Sequence, residues 1–247
     1  MLIQRNAAAE KTDARKKFGR FKSEKPKAIR HMKKDKDFEE LIQIWEECLY
    51  SGRPTCILPD EDSSLRYILP DSSAYSYAEE FLGNIDLSAE KIEMFAGSLI
   101  AFQGHHRFPD KAGGFLSVLI NKSSSMEFDF DFSRFSMPIT ELGYLNRKKI
   151  TISGDMGEML AIGMQGGILT VNGNVGPFAG YGMNGGILRV SGDAEGYVGQ
   201  HMGGGEIHIG GECERCEEDP SYYRAGGPRY RHILGGKIFI RGKQIYP

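Results

Sequence analysis

Two cysteines at spacing three, Cys213 and Cys216 in "ECERCEED", are the residue types in this chain most able to do chemistry. One Cys-x-x-Cys supplies half of a tetrahedral zinc site, or the two sulfurs of a redox pair. Completing a zinc site would take Cys48, Cys56, His208 or His232 brought close by the fold. The flanking Glu212, Glu214, Glu217, Glu218 and Asp219 oppose a reactive thiolate, because negative neighbours raise a thiol pKa. A loop that merely carries two thiols is the alternative, so no cofactor is expected within this chain beyond zinc at Cys213 and Cys216.

Histidines provide two more candidates. His105 and His106 stand beside Arg107, with Asp110 close by. Adjacent side chains on a regular strand point to opposite faces, which favours a polar turn before Pro109 over a shared ligand set. His201 and His232 occupy equivalent places in successive units of a repeat, and are read either as a pair facing a partner or as turn residues. Asp155, Asn174, Asp193 and Glu212 recur at one spacing. They are read as caps on exposed turns, with Asn174 relieving like-charge repulsion, and a cation site is the other reading. No catalytic residue is assigned.

Charge is unevenly placed. Residues 1–36 hold 13 Lys/Arg against 4 Asp/Glu, leaving 18 basic and 29 acidic residues for the rest. This arm, with Arg15, Lys16 and Lys17 at its centre, has few apolar residues and is expected to be disordered alone. It suits an acidic partner, or a solubilising role against the acidic body. Only Phe18 and Phe21 offer stacking surfaces there, which disfavours nucleic acid. No apolar run reaches the roughly 18 residues of a membrane span, and four cysteines do not make a disulfide framework. A cytoplasmic protein with reduced thiols is expected.

Positioning these residues falls to a repeat. "ITISGD", "LTVNGN", "LRVSGD" and "IHIGGE" carry their turn glycines at 154, 173, 192 and 211, an interval of 19 each time. "IFIRG" adds a fifth at 242, after a 12-residue insertion. Gly166-Gly167, Gly185-Gly186 and Gly204-Gly205 keep step, as do Met164, Met183 and Met202. A unit this small cannot bury its own apolar face and must stack on its neighbours. Alternation sends Ile150/Ile152, Leu169/Val171, Leu188/Val190, Ile207/Ile209 and Ile238/Ile240 inward. The fold class is therefore mainly β: a right-handed parallel β-helix of about 19 residues per coil. Nineteen is not a multiple of six, which argues against a left-handed hexapeptide helix.

Upstream, "DFEELIQIWEECLY" (37–50) has helical spacing, and "LSAEKIEMFAGSLIAF" is a second helical candidate. "SYAEEFLG" offers Ser76 as an N-cap. "FLSVLIN" and "MEFDFDF" read as strands, the latter with Phe128, Phe130 and Phe132 in alternation. The expected organisation is a basic arm at 1–36, a helical or mixed segment at 37–113, and a β-helix body at 114–247 whose clear repeats run 150–247.

The rhythm "GMxGG-(I/E)-(I/L)-x-(V/I)-x-G-(D/N)-x-x-x-(Y/F)-(V/A)-G" over residues 142–242 resembles the glycine-rich, β-helical subunit of formylmethanofuran dehydrogenase. It is similar to the glycine-rich β-helix of the glutamate synthase large subunit, and to the related component of bacterial formyltransferase/hydrolase complexes. The interval and the "YRAGGPRYRHILGGKIFI" segment look closer to the formylmethanofuran dehydrogenase component. The resemblance implies a non-catalytic scaffold or assembly subunit, in a homo-oligomer or bound to larger oxidoreductase subunits. Two other functions stay open: a self-sufficient metal-dependent enzyme with a site between the N-terminal segment and the β-helix, and a regulatory module binding through its basic arm. None of the three calls for a membrane.

Overall fold

A computed structural model describes residues 35–50, 72–83, 85–214 and 233–246. Arg15, Lys16, Lys17, Cys216 and His232 lie outside them. Among the described residues, four helices come first: α1 (Lys36–Tyr50), α2 (Ser72–Phe81), α3 (Ala89–Ser98, extended by a 3-10 turn at Leu99–Phe102) and α4 (Phe108–Lys122). A seven-stranded sheet follows in simple chain order: β1 (Glu127–Asp131), β2 (Lys149–Ser153), β3 (Gln165–Asn172), β4 (Gly185–Val190), β5 (Glu206–Ile209), β6 (Lys237–Ile240) and β7 (Lys243–Tyr246). β1 to β6 pair in parallel, and β7 returns antiparallel on β6.

Parallel strands adjacent in sequence and in space need a full circuit of chain between them, which makes each repeat one coil of a β-solenoid. Register matches the interval: Ile150 lies beside Leu169, Leu169 beside Leu188, and Leu188 beside Ile207. Ile238 continues the row after the insertion. All five are buried, as are Met164, Met183 and Met202. A second line of bridges, Met156–Val175–Ala194–Cys213, ties the coils on another side. β1 is a further rung beyond the clear repeats, with Phe128 and Phe130 beside Ile150 and Ile152.

The double glycines answer a steric demand. The second of each pair has φ of +70° (Gly167), +85° (Gly186), +94° (Gly205) and +90° (Gly236). A Cβ on Gly186 would lie 2.6 Å from the carbonyl of Gly166 in the coil below. Both the left-handed backbone and the close approach exclude a side chain.

The helices close the β1 end of the solenoid. Trp45, fully buried, meets Phe95, Phe102, Phe108 and Phe115 edge-on, with centroids 5.2–6.4 Å away. Lys91 Nζ, largely buried, reaches Asp37 at 3.0 Å, Asp35 at 3.3 Å and Asp86 at 3.7 Å. Lys111 Nζ donates to the Cys48 carbonyl at 2.6 Å, a cation at the carbonyl end of α1 where the helix dipole favours it. α4 seats on the first circuit. Gly143 N–H donates to Ser117 Oγ (3.0 Å), Thr140 Oγ1 donates to the Pro109 carbonyl (2.8 Å), and Asn121 Nδ2 to the Tyr144 carbonyl (2.9 Å).

Two sequence expectations change. "FLSVLIN" is the C-terminal half of α4, not a strand, so the helical segment runs to Lys122. That run is buried on all sides, which erases the periodicity that separates helix from strand. Ser76 sits inside α2 instead of capping it.

Replacing Gly186 by Ala is expected to lower the unfolding free energy by about 3 kcal/mol or more, through backbone strain and overlap. Gly97→Ala, on an exposed turn of α3 with open space around it, is expected to raise stability by up to about 1 kcal/mol. Urea denaturation of both variants checks this; an equal effect at the two sites contradicts the steric account.

Candidate functional site: an acidic groove along the stacked turns

The polar column beside the sheet is built from the turn that ends each strand. Asp155 Oδ1 accepts from Asn174 N–H at 2.8 Å. Asn174 Oδ1 in turn accepts from Asp193 N–H at 2.8 Å, and Asp193 Oδ1 from Glu212 N–H at 2.7 Å. Each link spans 19 residues, one coil. A side chain on one rung thus satisfies a backbone donor on the next, donors that the tight turn leaves without a strand partner. Glu212 ends the series in an ion pair with Arg241 Nη2. The capping reading of this column is what the geometry supports, and the neutral Asn174 stands between Asp155 and Asp193.

Next to the column runs a groove of about 1070 Å³, floored by the bridge line from Met156 to Cys213. Its walls carry Asp155, Glu158, Asp193, Glu195, Glu212 and Glu214, with Arg241 as the one cation among its lining residues. Such a row of carboxylates creates negative potential along the rungs from Asp155 to Glu214. Asp155 and Asp193 each already hold a backbone N–H with one oxygen. Among the described residues, no group of three or more His, Cys, Asp or Glu is arranged to hold a metal ion.

Other sequence-predicted residues are scattered. Cys213 lies at the end of the bridge line, buried, and is disulfide-bonded; its partner is outside the described residues. A sulfur in that state has no thiolate to offer zinc, so ligation there would require prior reduction. The expectation of reduced thiols is therefore not met at Cys213. His105 and His106 stack at 4.7 Å in the turn before α4, with Tyr50 edge-on to His105 at 5.0 Å. Burial, and then the coulombic influence of His106, Arg107 and Lys111, pulls the His105 pKa down. His105 Nδ1 accepts from Arg107 N–H at 3.3 Å, in keeping with a structural turn.

His201 is half-buried at φ +59°, where the coils below have Gly163 and Gly182 at +60°. Its ring meets Tyr181 edge-on at 5.0 Å. The sequence rhythm already places an aromatic at Phe178 and Tyr197, but not the backbone conformation of the column they share with Met159. Met159, Phe178 and Tyr197 all take left-handed φ, of +58°, +64° and +66°. The rings of Phe178 and Tyr197 stack 4.7 Å apart. Their 19-residue spacing was the available signal; no propensity scale assigns a positive φ to Phe or Tyr. Tyr181 is buried nearby, and burial pushes its phenol up to about 12.

Compared with protein-family models, curated proteins and solved structures, the chain finds no match.

Substituting Asn174 by Asp retains the cap and places three carboxylates and Glu212 on successive rungs about 4.8 Å apart. A loss of about 1 kcal/mol at low ionic strength is expected, largely recovered in molar salt. Asn174→Ala is expected to cost about 1 kcal/mol at any salt concentration, as a lost hydrogen bond does. Denaturation midpoints across a salt series separate the two, and a salt-independent Asn174→Asp penalty contradicts the ladder electrostatics.

The Tyr181 phenol titrates near 10 once unfolded and at about 12 in the fold, so folding favours its neutral form. The stability it confers is complete below about pH 10 and drains away as pH rises towards about 12. Urea midpoints between about pH 9 and about pH 12 are expected to fall more steeply for the wild type than for Tyr181→Phe. Identical slopes would reject this.

Proposed function

We propose that this chain is a non-catalytic scaffold, an assembly subunit that holds larger oxidoreductase or formyl-transferring subunits in place. The observation that carries the reading is the rung-to-rung ladder through Asp155, Asn174, Asp193 and Glu212. Polar residues recurring once per coil are engaged with the chain's own backbone, which stiffens the rod. Side chains on the outside of that rod stand in straight rows at constant spacing, a geometry suited to extended binding surfaces. The residue pattern over 142–242, similar to the β-helical component of formylmethanofuran dehydrogenase and to the glutamate synthase β-helix, points to partners that carry the redox or transfer centres themselves.

Isolation of the endogenous, untagged chain at low salt tests this. The expected result is a stoichiometric complex with a larger subunit bearing a flavin, iron–sulfur, metal or pterin centre, and loss of that subunit's assembled form when this chain is depleted. Catalytic turnover by the purified chain alone, or an undisturbed partner enzyme after depletion, overturns the reading.

A further inference from the structure

The outward face of the sheet carries two parallel rows of side chains. Strand register places Glu127, Lys149, Ile168, Ile187, Glu206 and Lys237 in one row, from β1 to β6. Asp129, Thr151, Thr170, Arg189, His208 and Phe239 form the other. All are exposed or half-buried. Two β-branched aliphatics, Ile168 and Ile187, thus sit side by side at the middle of a solvent-facing surface. An ion pair flanks them on each side, Glu127–Lys149 at 3.1 Å and Glu206–Lys237 at 3.4 Å.

The first row is charge-complementary to its own reverse. Suppose a second copy is laid face to face, related by a two-fold axis that runs along the strands midway between β3 and β4. Glu127 then opposes Lys237 of the second copy, Lys149 opposes its Glu206, and Ile168 opposes its Ile187. Each outer pair becomes a four-charge checkerboard in which every neighbour, within a copy or across, has opposite sign. The second row sets Arg189 against Thr170, His208 against Thr151 and Phe239 against Asp129, with no like charges opposed. The other face-to-face two-fold, along the solenoid axis, would oppose Asp129 to Asp129 and Arg189 to Arg189 if it ran over the second row, Glu127 to Glu127 and Lys149 to Lys149 if over the first, and Glu127 to Asp129 if between them. Like-charge juxtaposition discriminates strongly between docking modes.

We propose that this chain pairs with a second copy of itself through the outer sheet face, in the strand-parallel two-fold arrangement. The interface has an aliphatic centre of four isoleucines, Ile168 and Ile187 from each copy, and a charged rim, the anatomy common to protein–protein contacts. Isologous pairing requires this self-complementarity, because the same patch serves both sides. Six strands about 4.8 Å apart and about 15 Å of each strand give a footprint of roughly 450 Å² per copy. About 900 Å² in total is small for a stable interface, so the expected dimer is weak and reversible. Such a dimer is independent of a scaffold role, since it leaves the acidic groove uncovered.

Sedimentation velocity of the full-length chain across a concentration series tests it. Wild-type protein is expected to show monomer–dimer exchange. Lys149→Glu and Glu206→Lys each turn two attractive oppositions into repulsive ones, and each is expected to weaken self-association about tenfold or more. Mixing the two variants is the decisive step. Lys149→Glu protein opposes carboxylates to the lysines of Glu206→Lys protein at both contacts, so a mixed dimer forms where neither variant pairs with itself. Neither position is buried, and circular dichroism checks that the variants fold. A wild type that stays monomeric, self-association indifferent to either substitution, or two weakened variants that fail to pair on mixing would each overturn the proposal. A chain that is monomeric yet recovered in a catalytic complex rejects the dimer alone, while a dimer with no larger partner rejects the scaffold reading alone.

Discussion

Stacking of one coil on the next at hydrogen-bonding distance is the constraint on which the rest of this structure depends. A parallel rung requires the backbone to travel a full circuit and arrive one strand-spacing higher. Where the chain turns back toward the sheet, successive coils come so close that the path is passable only without a side chain. Gly167, Gly186 and Gly205 meet that condition with positive φ and carbonyls of the coil below at contact distance. Once that corner is set, the inward residues have no freedom of register. Ile150, Leu169, Leu188, Ile207 and Ile238 then form one continuous buried row.

A solenoid of this kind solves its interior by repetition, but repetition leaves two ends. The first is closed by a different kind of structure, a helical cap built around Trp45 and held to the opening circuit through α4. The other is closed by the chain doubling back, β7 on β6 in antiparallel sense. Within the body, polar groups repeat as faithfully as the apolar ones. The column from Asp155 to Glu212 supplies acceptors to turn N–H groups that the parallel ladder cannot reach. The acidic groove is thus partly a by-product of backbone satisfaction, and its carboxylates serve the fold before any ligand.

Straight rows also govern what the exterior can recognise. Residues one coil apart stand one strand-spacing apart, so any periodic partner, including an inverted copy of the same surface, can match them rung by rung. The sheet face combines Ile168 and Ile187 with alternating charges on either side, whereas the groove is lined almost wholly by one sign of charge. These two surfaces select different kinds of partner by electrostatics alone.

The interval of 19, the inward ladders, the methionine core and the capping role of the polar column were legible in the residues, because one unit must account for every copy. The strict alternation of Phe128, Phe130 and Phe132 was equally readable, although not the pairing that makes β1 a rung. Tertiary structure alone decided the rest. "FLSVLIN" became helix because burial from all sides removed its periodicity, and packing of α4 against Thr140 and Tyr144 arbitrated instead. The left-handed corner at Met159, Phe178 and Tyr197 has no local signature, since its strain is imposed by the circuit and offset by the stacking of successive coils. The matching of the outer rows was written in the sequence letter by letter, yet only register between strands brings residues 110 positions apart onto one face and gives their order a meaning.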